Sequence, residues 1–382
     1  MQGRAFPGGS VRVLVVIVAL LCAACAPRGQ LVLSPETPPT GEVQTIFVAT
    51  TRSLDDETGR FGHDRAETVR HARYGVAIPA NRKAGEIGWP PRSGRVNPDT
   101  DFFTTEELRH PDEAAFSADL RRALADMPKG SRDAVIFVHG FNNTFSEGLY
   151  RIAQLGHDLN LPGVVMHYSW PSAGSPLAYV HDRDSALFAR DGLERLISVA
   201  VGSGAERVIL VAHSMGSALT MEALRQAAIR NGDSIIRRIG GVILISPDLD
   251  VDVFRAQAHT MDTLPQPFLI FGSSRDRVLN IAARLTGEPE RLGNLTDLGR
   301  IADLDVTYLD TGAYATGSGH FTVGNSPALL QLLEGIGDID RAFGADERGR
   351  IGLLPGVVLT AQSATKIILA PVSAISEELS PQ

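Results

Sequence analysis

The sequence predicts an α/β protein: a mainly parallel eight-stranded sheet with helices on both faces. Short β-branched runs bounded by turn residues alternate with helical segments, and such alternation calls for right-handed crossovers and parallel pairing. The runs are almost continuously apolar, as strands buried on both faces must be. No period of about 20–50 residues recurs, which removes solenoids and propellers.

The eight expected strands are Val43–Ala49, Tyr74–Ile78, Ala134–Val138, Val164–Tyr168, Val208–Ala212, Gly241–Ile245, Phe268–Phe271 and Asp305–Leu309. From the third onward, helical segments separate or follow them: Thr144–Leu159, Val180–Val201, Met215–Arg230, Val251–Ala258, Arg277–Leu285 and Pro327–Phe343. Between Ile78 and Phe102 the chain is rich in Gly and Pro around Trp89, which fits a loop covering part of the sheet's active end.

The chain has 382 residues, 43% hydrophobic and 21% charged, with a formal charge of −8. That is the composition of a core-forming globular protein, and the acidic balance disfavours nucleic acid as a partner. Both cysteines, Cys22 and Cys25, fall within the first 25 residues, so the remainder can hold no disulfide, zinc–cysteine site or thiol nucleophile. Asp248, Asp250 and Asp252 alternate as metal ligands can, but lack the glycine and closing glutamate of a calcium loop; no metal or other cofactor is expected.

Arg4 and Arg12 precede an apolar run from Val13 to Ala26. As a helix it would extend about 21 Å, short of a bilayer core of about 30 Å. This is the pattern of an export signal over residues 1–25. Leu21-Cys22-Ala23-Ala24-Cys25 resembles a bacterial lipobox, which implies lipidation at Cys25 and a membrane-anchored protein facing the periplasm. Cys22 stands where that motif usually has leucine. Residues 26–42 are proline-rich and read as a tether, residues 43–345 as the folded domain, and 346–382 as a C-terminal tail of unassigned role.

Val208-Ile-Leu-Val-Ala-His-Ser-Met-Gly216 is a buried strand running into Ser214, with a helix following at once. A sharp strand-to-helix turn holds a serine hydroxyl clear above a sheet, and it demands tiny residues two before and two after. Ala212 and Gly216 meet that demand, and the Met215 amide becomes one oxyanion donor. The second donor is expected at the Phe141 amide, after His139-Gly140 at the end of an earlier strand. Thr144 and Glu147 form a capping box beyond it. His139 itself reads as a ligand of loop backbone rather than a catalyst. His320, between glycine-rich sequence and the final helix, is the base candidate by chain order, whereas His213 is expected to point to the other side of the turn. Asp276, after the seventh strand, leads as the acid. Asp248 competes, and Asp310 ranks third.

The order Ser, Asp, His with an upstream His-Gly loop resembles the α/β-hydrolase superfamily. More narrowly, the chain resembles a bacterial family of exported, esterase/lipase-like α/β-hydrolases of largely unknown function. The likeness rests on Phe47-Val-Ala-Thr-Thr-Arg52, Tyr74-Gly-Val-Ala-Ile-Pro79, Phe137-Val-His-Gly-Phe-Asn-Asn143, Ala212-His-Ser-Met-Gly216, Ser246-Pro-Asp-Leu-Asp250 and Ser274-Arg-Asp276. It implies a serine hydrolase with Ser214, Asp276 and His320 as triad and supplies no substrate; the reaction expected of those residues is acyl transfer from a small-molecule or lipid ester to water through an acyl-enzyme. Two alternatives stand beside it: a non-catalytic envelope module that retains the fold, and an amidase or peptidase of the same fold.

Overall fold

The computed structural model describes residues 29–288, 290–314, 319–327, 329–330, 356–361 and 364–369. Its strands, in chain order, are β1 (Val43–Leu54), β2 (Phe61–Ala77), β3 (Phe103–His110), β4 (Asp133–Val138), β5 (Val164–Ser169), β6 (Arg207–His213), β7 (Ile239–Ile245), β8 (Phe268–Gly272), β9 (Thr307–Asp310), β10 (Gly356–Ala361) and β11 (Ala364–Leu369). They form one sheet in the order β10-β11-β9-β8-β7-β6-β4-β5-β1-β2-β3. Pairing is parallel from β1 through β5, β4 and β6 to β9, and again between β9 and β11. Only the margins, β1–β2–β3 and β10–β11, are antiparallel.

The central strands are apolar throughout because each face carries its own core. In β4, Ala134, Ile136 and Val138 join the cluster packed under α1 (Glu113–Ala125), α4 (Arg190–Gly202), α5 (Met215–Asn231) and α7 (Val251–Ala258). Val135 and Phe137 face the other way, onto α2 (Phe145–Asp158). Period-two alternation is thus present in direction but invisible in polarity.

All eight expected strands occur, but the sheet has eleven among the described residues. β3 was not foreseen because it is an edge strand, where Glu106, Glu107 and Arg109 carry charge on a solvent-facing ladder. β10 and β11, in the stretch set aside as a tail, form a hairpin whose inner strand pairs with β9. The single helix expected over Val180–Val201 is two: α3 (Tyr179–Phe188) and α4, parted at Ala189, whose carbonyl accepts the buried Tyr168 hydroxyl at 2.6 Å. The remaining helices are α6 (Asp233–Ile236), α8 (Arg277–Thr286) and α9 (Thr322–Asn325). Most of the helix expected over Pro327–Phe343 lies outside the described residues, as do the export segment and Cys25.

Two expected loops sit elsewhere than composition suggested. Within 26–42, residues 32–34 pair with the β3 edge: Thr104 N donates to Val32 O at 2.9 Å and Ser34 N to Thr104 O at 2.8 Å. Ser146 Oγ also donates to Gly29 O. This part of the tether is bound to the domain because an edge strand offers it unpaired backbone groups. The stretch after Ile78 runs along α2 instead of over the active end: Arg82 pairs with Asp158 at the C-terminal end of α2, and Trp89 packs against Tyr150.

Candidate active site

The turn after β6 places Ser214 in a left-handed conformation, φ +53° and ψ −123°. Such strain persists only where neighbours over-determine it. Here Ser214 N donates to Ile245 O at 2.9 Å, while its carbonyl accepts from Ser217 N and Asp248 N at 3.0 and 3.1 Å. Glycine is compulsory two residues later: a Cβ on Gly216 would stand 2.4 Å from the His139 carbonyl oxygen. Gly140 faces the same restriction, since its Cβ would lie 2.8 Å from that of Ser214. Although Ser214 occupies the N-cap position of α5, its side chain makes no capping bond. The hydroxyl goes elsewhere.

His320 Nε2 lies 2.9 Å from Ser214 Oγ, and His320 Nδ1 lies 2.8 Å from Asp276 Oδ2. Asp276 is fully buried; its other oxygen accepts the Val278 and Leu279 amides at 3.0 Å each as the N-cap of α8. One carboxylate oxygen is therefore fixed by the helix and the other is left to orient the imidazole. Asp248 is equally buried but spoken for, accepting from Arg291 Nε and from the Tyr179 hydroxyl, both at 2.8 Å. Asp310 accepts from Gly312 N at 2.9 Å and pairs with Lys366. Of the three candidate acids, only Asp276 meets His320.

The amides expected to form an oxyanion hole, Phe141 and Met215, donate to no protein acceptor among the described residues. The Phe141 loop leaves through the expected capping box, with Thr144 and Glu147 bonded reciprocally. His139 is buried and stacks on Trp170 at 4.8 Å; burial, and then Arg52, hold it well below the ordinary histidine range. It is a neutral structural side chain. His213 departs from expectation: its ring lies 4.9 Å from that of His320 and 4.5 Å from Phe321. This half-buried ring thus backs the base instead of pointing away.

Two residues at the site were assigned no role from the sequence. Arg52, 1% exposed, donates to the carbonyls of Asn143 (2.9 Å) and Ser172 (3.0 Å). Asp182, fully buried, accepts from the amides of Asn142 (3.2 Å) and Ala173 (2.7 Å) and from the Ser172 hydroxyl. A buried cation and a buried anion thus grip opposite backbone groups of the same two loops, one of which carries Phe141. Desolvation lowers Arg52 to about 9, with Asp182 the largest opposing influence. Among the described residues no group of His, Cys, Asp and Glu has metal-binding geometry.

A protein family described as α/β hydrolase of unknown function (DUF900) matches residues 112–301. No relative was found among curated protein sequences. Similar solved structures include lipase B of Aspergillus fumigatus (16% identity, TM-score 0.37, covering 64% of this chain and 59% of that one). Others are naproxen esterase of Bacillus subtilis (9%, 0.32, 88% and 100%) and esterase 2 of Thermogutta terrifontis (12%, 0.31, 82% and 97%). At such distances they bear on neither substrate nor mechanism.

Proposed function

Since the chain belongs to the α/β-hydrolase superfamily, we propose that it is a serine hydrolase that cleaves carboxyl esters through an acyl-enzyme. The observation that carries this reading is the unbroken hydrogen-bond chain Ser214 Oγ–His320–Asp276, assembled from the loops after β6, β8 and β9. A serine is a weak nucleophile until a base takes its proton, and a base works best when a third group fixes its orientation.

In the proposed reaction His320 Nε2 takes the hydroxyl proton as Ser214 Oγ bonds to the ester carbonyl carbon. The Phe141 and Met215 amides receive the oxyanion, helped by the positive end of α5. The intermediate collapses, the C–O bond to the alcohol breaks, and His320 returns the proton to the departing oxygen. Water then attacks the acyl-enzyme with the same proton relay, releasing the acid and free Ser214. Asp276 stabilises the imidazolium in both halves.

Hydrolysis of short aryl esters tests this. Wild-type turnover that vanishes in a folded Ser214→Ala protein is the expected result; undiminished turnover in that variant ends the proposal. Faster cleavage of matched aryl amides would move the reading to an amidase, and a folded protein inert to both would favour a binding module. We further propose that the enzyme is exported and anchored at Cys25. Palmitate incorporation should be lost in Cys25→Ser, and label surviving that change would remove the anchor.

A further inference from the structure

A cavity of about 250 Å³ lies between α3, α5 and α7, against the nucleophile turn. Its walls include Met215, next to Ser214, and Asp248, whose amide holds the Ser214 carbonyl. Leu219, Leu249 and Ala186 give it apolar flanks. Among the described residues, none of its lining comes from the loop that carries His320.

The polar groups of this cavity are unevenly satisfied. Each carboxylate has its donors: Asp248 has Arg291 and Tyr179, Asp250 has the Val253 amide, and Glu222 has Arg225 and Gln257. The guanidinium groups do not have their acceptors. Arg291 is 6% exposed, and beyond the bond from Nε its terminal nitrogens donate to nothing among the described residues. Arg183, exposed at the rim, likewise has no acceptor among them. The Gln257 carboxamide oxygen, also in the lining, is buried without a donor among the described residues. The acceptor that matches a planar guanidinium fork is a carboxylate.

Resting on the hydrolase reading, we propose that this cavity takes the acyl part of the ester, and that Arg291 and Arg183 receive a carboxylate carried by that acyl group. The preferred substrates are then half-esters of short dicarboxylic acids. His320 must hand its proton to the leaving alcohol, so the alcohol lies on the His320 side. The acyl group lies towards Phe141 and Met215, which the cavity adjoins: Met215 lines it, and so does Tyr179, which packs edge-on against Phe141 at 5.4 Å. The volume falls below the roughly 300–1,000 Å³ of sites for drug-sized ligands, so the chain is short.

Steady-state kinetics on the full chain with aryl acetate, butyrate and hemisuccinate test the assignment. The expected kcat/KM for hemisuccinate exceeds that for butyrate by about tenfold, the weight of one charge-assisted hydrogen bond. The ratio should fall towards one in Arg183→Gln, remain partly in Arg183→Lys, and shrink with added salt. Leu249→Phe, which narrows the cavity, should penalise both four-carbon acyl groups relative to acetate. Butyrate preferred by the wild type, or a ratio indifferent to Arg183→Gln, overturns the proposal while Ser214-dependent acetate hydrolysis leaves the hydrolase reading intact. Calorimetry on Ser214→Ala reads the cavity without turnover: the hemisuccinate ester should bind about tenfold more tightly than the butyrate ester, and equal binding contradicts it. If no ester is hydrolysed, the acyl role falls with the hydrolase reading, and the calorimetry still decides whether the cavity takes a carboxylate.

Discussion

The loops after β7 and β8 make an instructive pair. Each follows a buried parallel strand, each carries a buried aspartate, and each leads into a helix. Yet Asp248 is claimed by Arg291 and Tyr179, while Asp276 gives one oxygen to the α8 amides and the other to His320. Burial and strand order do not distinguish them. What separates them is the set of donors that reaches each carboxylate, and those donors come from distant parts of the chain.

The largest test of this contrast is Asp276→Asn. The amide oxygen still caps α8, so stability should change little, but His320 loses the partner that fixes its tautomer; kcat should fall about 10⁴-fold with KM nearly constant. A loss under tenfold would dissolve the contrast. Asp248→Asn should do the opposite: kcat within about tenfold, but a urea midpoint shift worth about 3–5 kcal/mol, because the buried Arg291 is left without a counter-charge. Reversed outcomes would swap the two roles.

A third test reads two histidines of the core. Burial lowers His71 to about 4 and His167 to about 3. The unfolded chain therefore binds protons near pH 6.5 that the folded chain refuses. Their contribution to stability is full above that pH and lost as pH falls towards the folded values. Between pH 6.5 and 5 each costs about 2 kcal/mol, read as a falling urea midpoint; a midpoint that held steady would mean these rings accept protons in place. The smallest effect is Thr144→Ala, which removes the capping box at the exit of the Phe141 loop. It should cost about 1 kcal/mol by thermal unfolding, leaving the Ser214–His320 bond in place.

What the sequence made legible follows the range of the interaction. The parallel strands announced themselves as apolar runs, and the Ser214 turn as small residues around a serine between strand and helix; both are local patterns. Chain order then selected Asp276 and His320. Residues acting across the chain stayed hidden: Arg52 reads as a strand residue, Asp182 as a helix residue, and only the fold brings both onto the Asn142–Asn143 and Ser172–Ala173 loops. Edge strand β3 was missed because an edge can be polar, and β10–β11 because their pairing with β9 depends on a strand about sixty residues earlier. His213 was misplaced because the turn direction, not sequence adjacency, decides where its ring packs.

The Ser214–His320–Asp276 relay is tested most directly by the site and rate of fluorophosphonate labelling, mapped by peptide mass spectrometry. One adduct is expected, at Ser214, absent from Ser214→Ala, slowed by orders of magnitude in Asp276→Asn and within about tenfold of wild type in Asp248→Asn. A folded protein that takes no label, an adduct elsewhere, or equal rates in wild type and Asp276→Asn would contradict it.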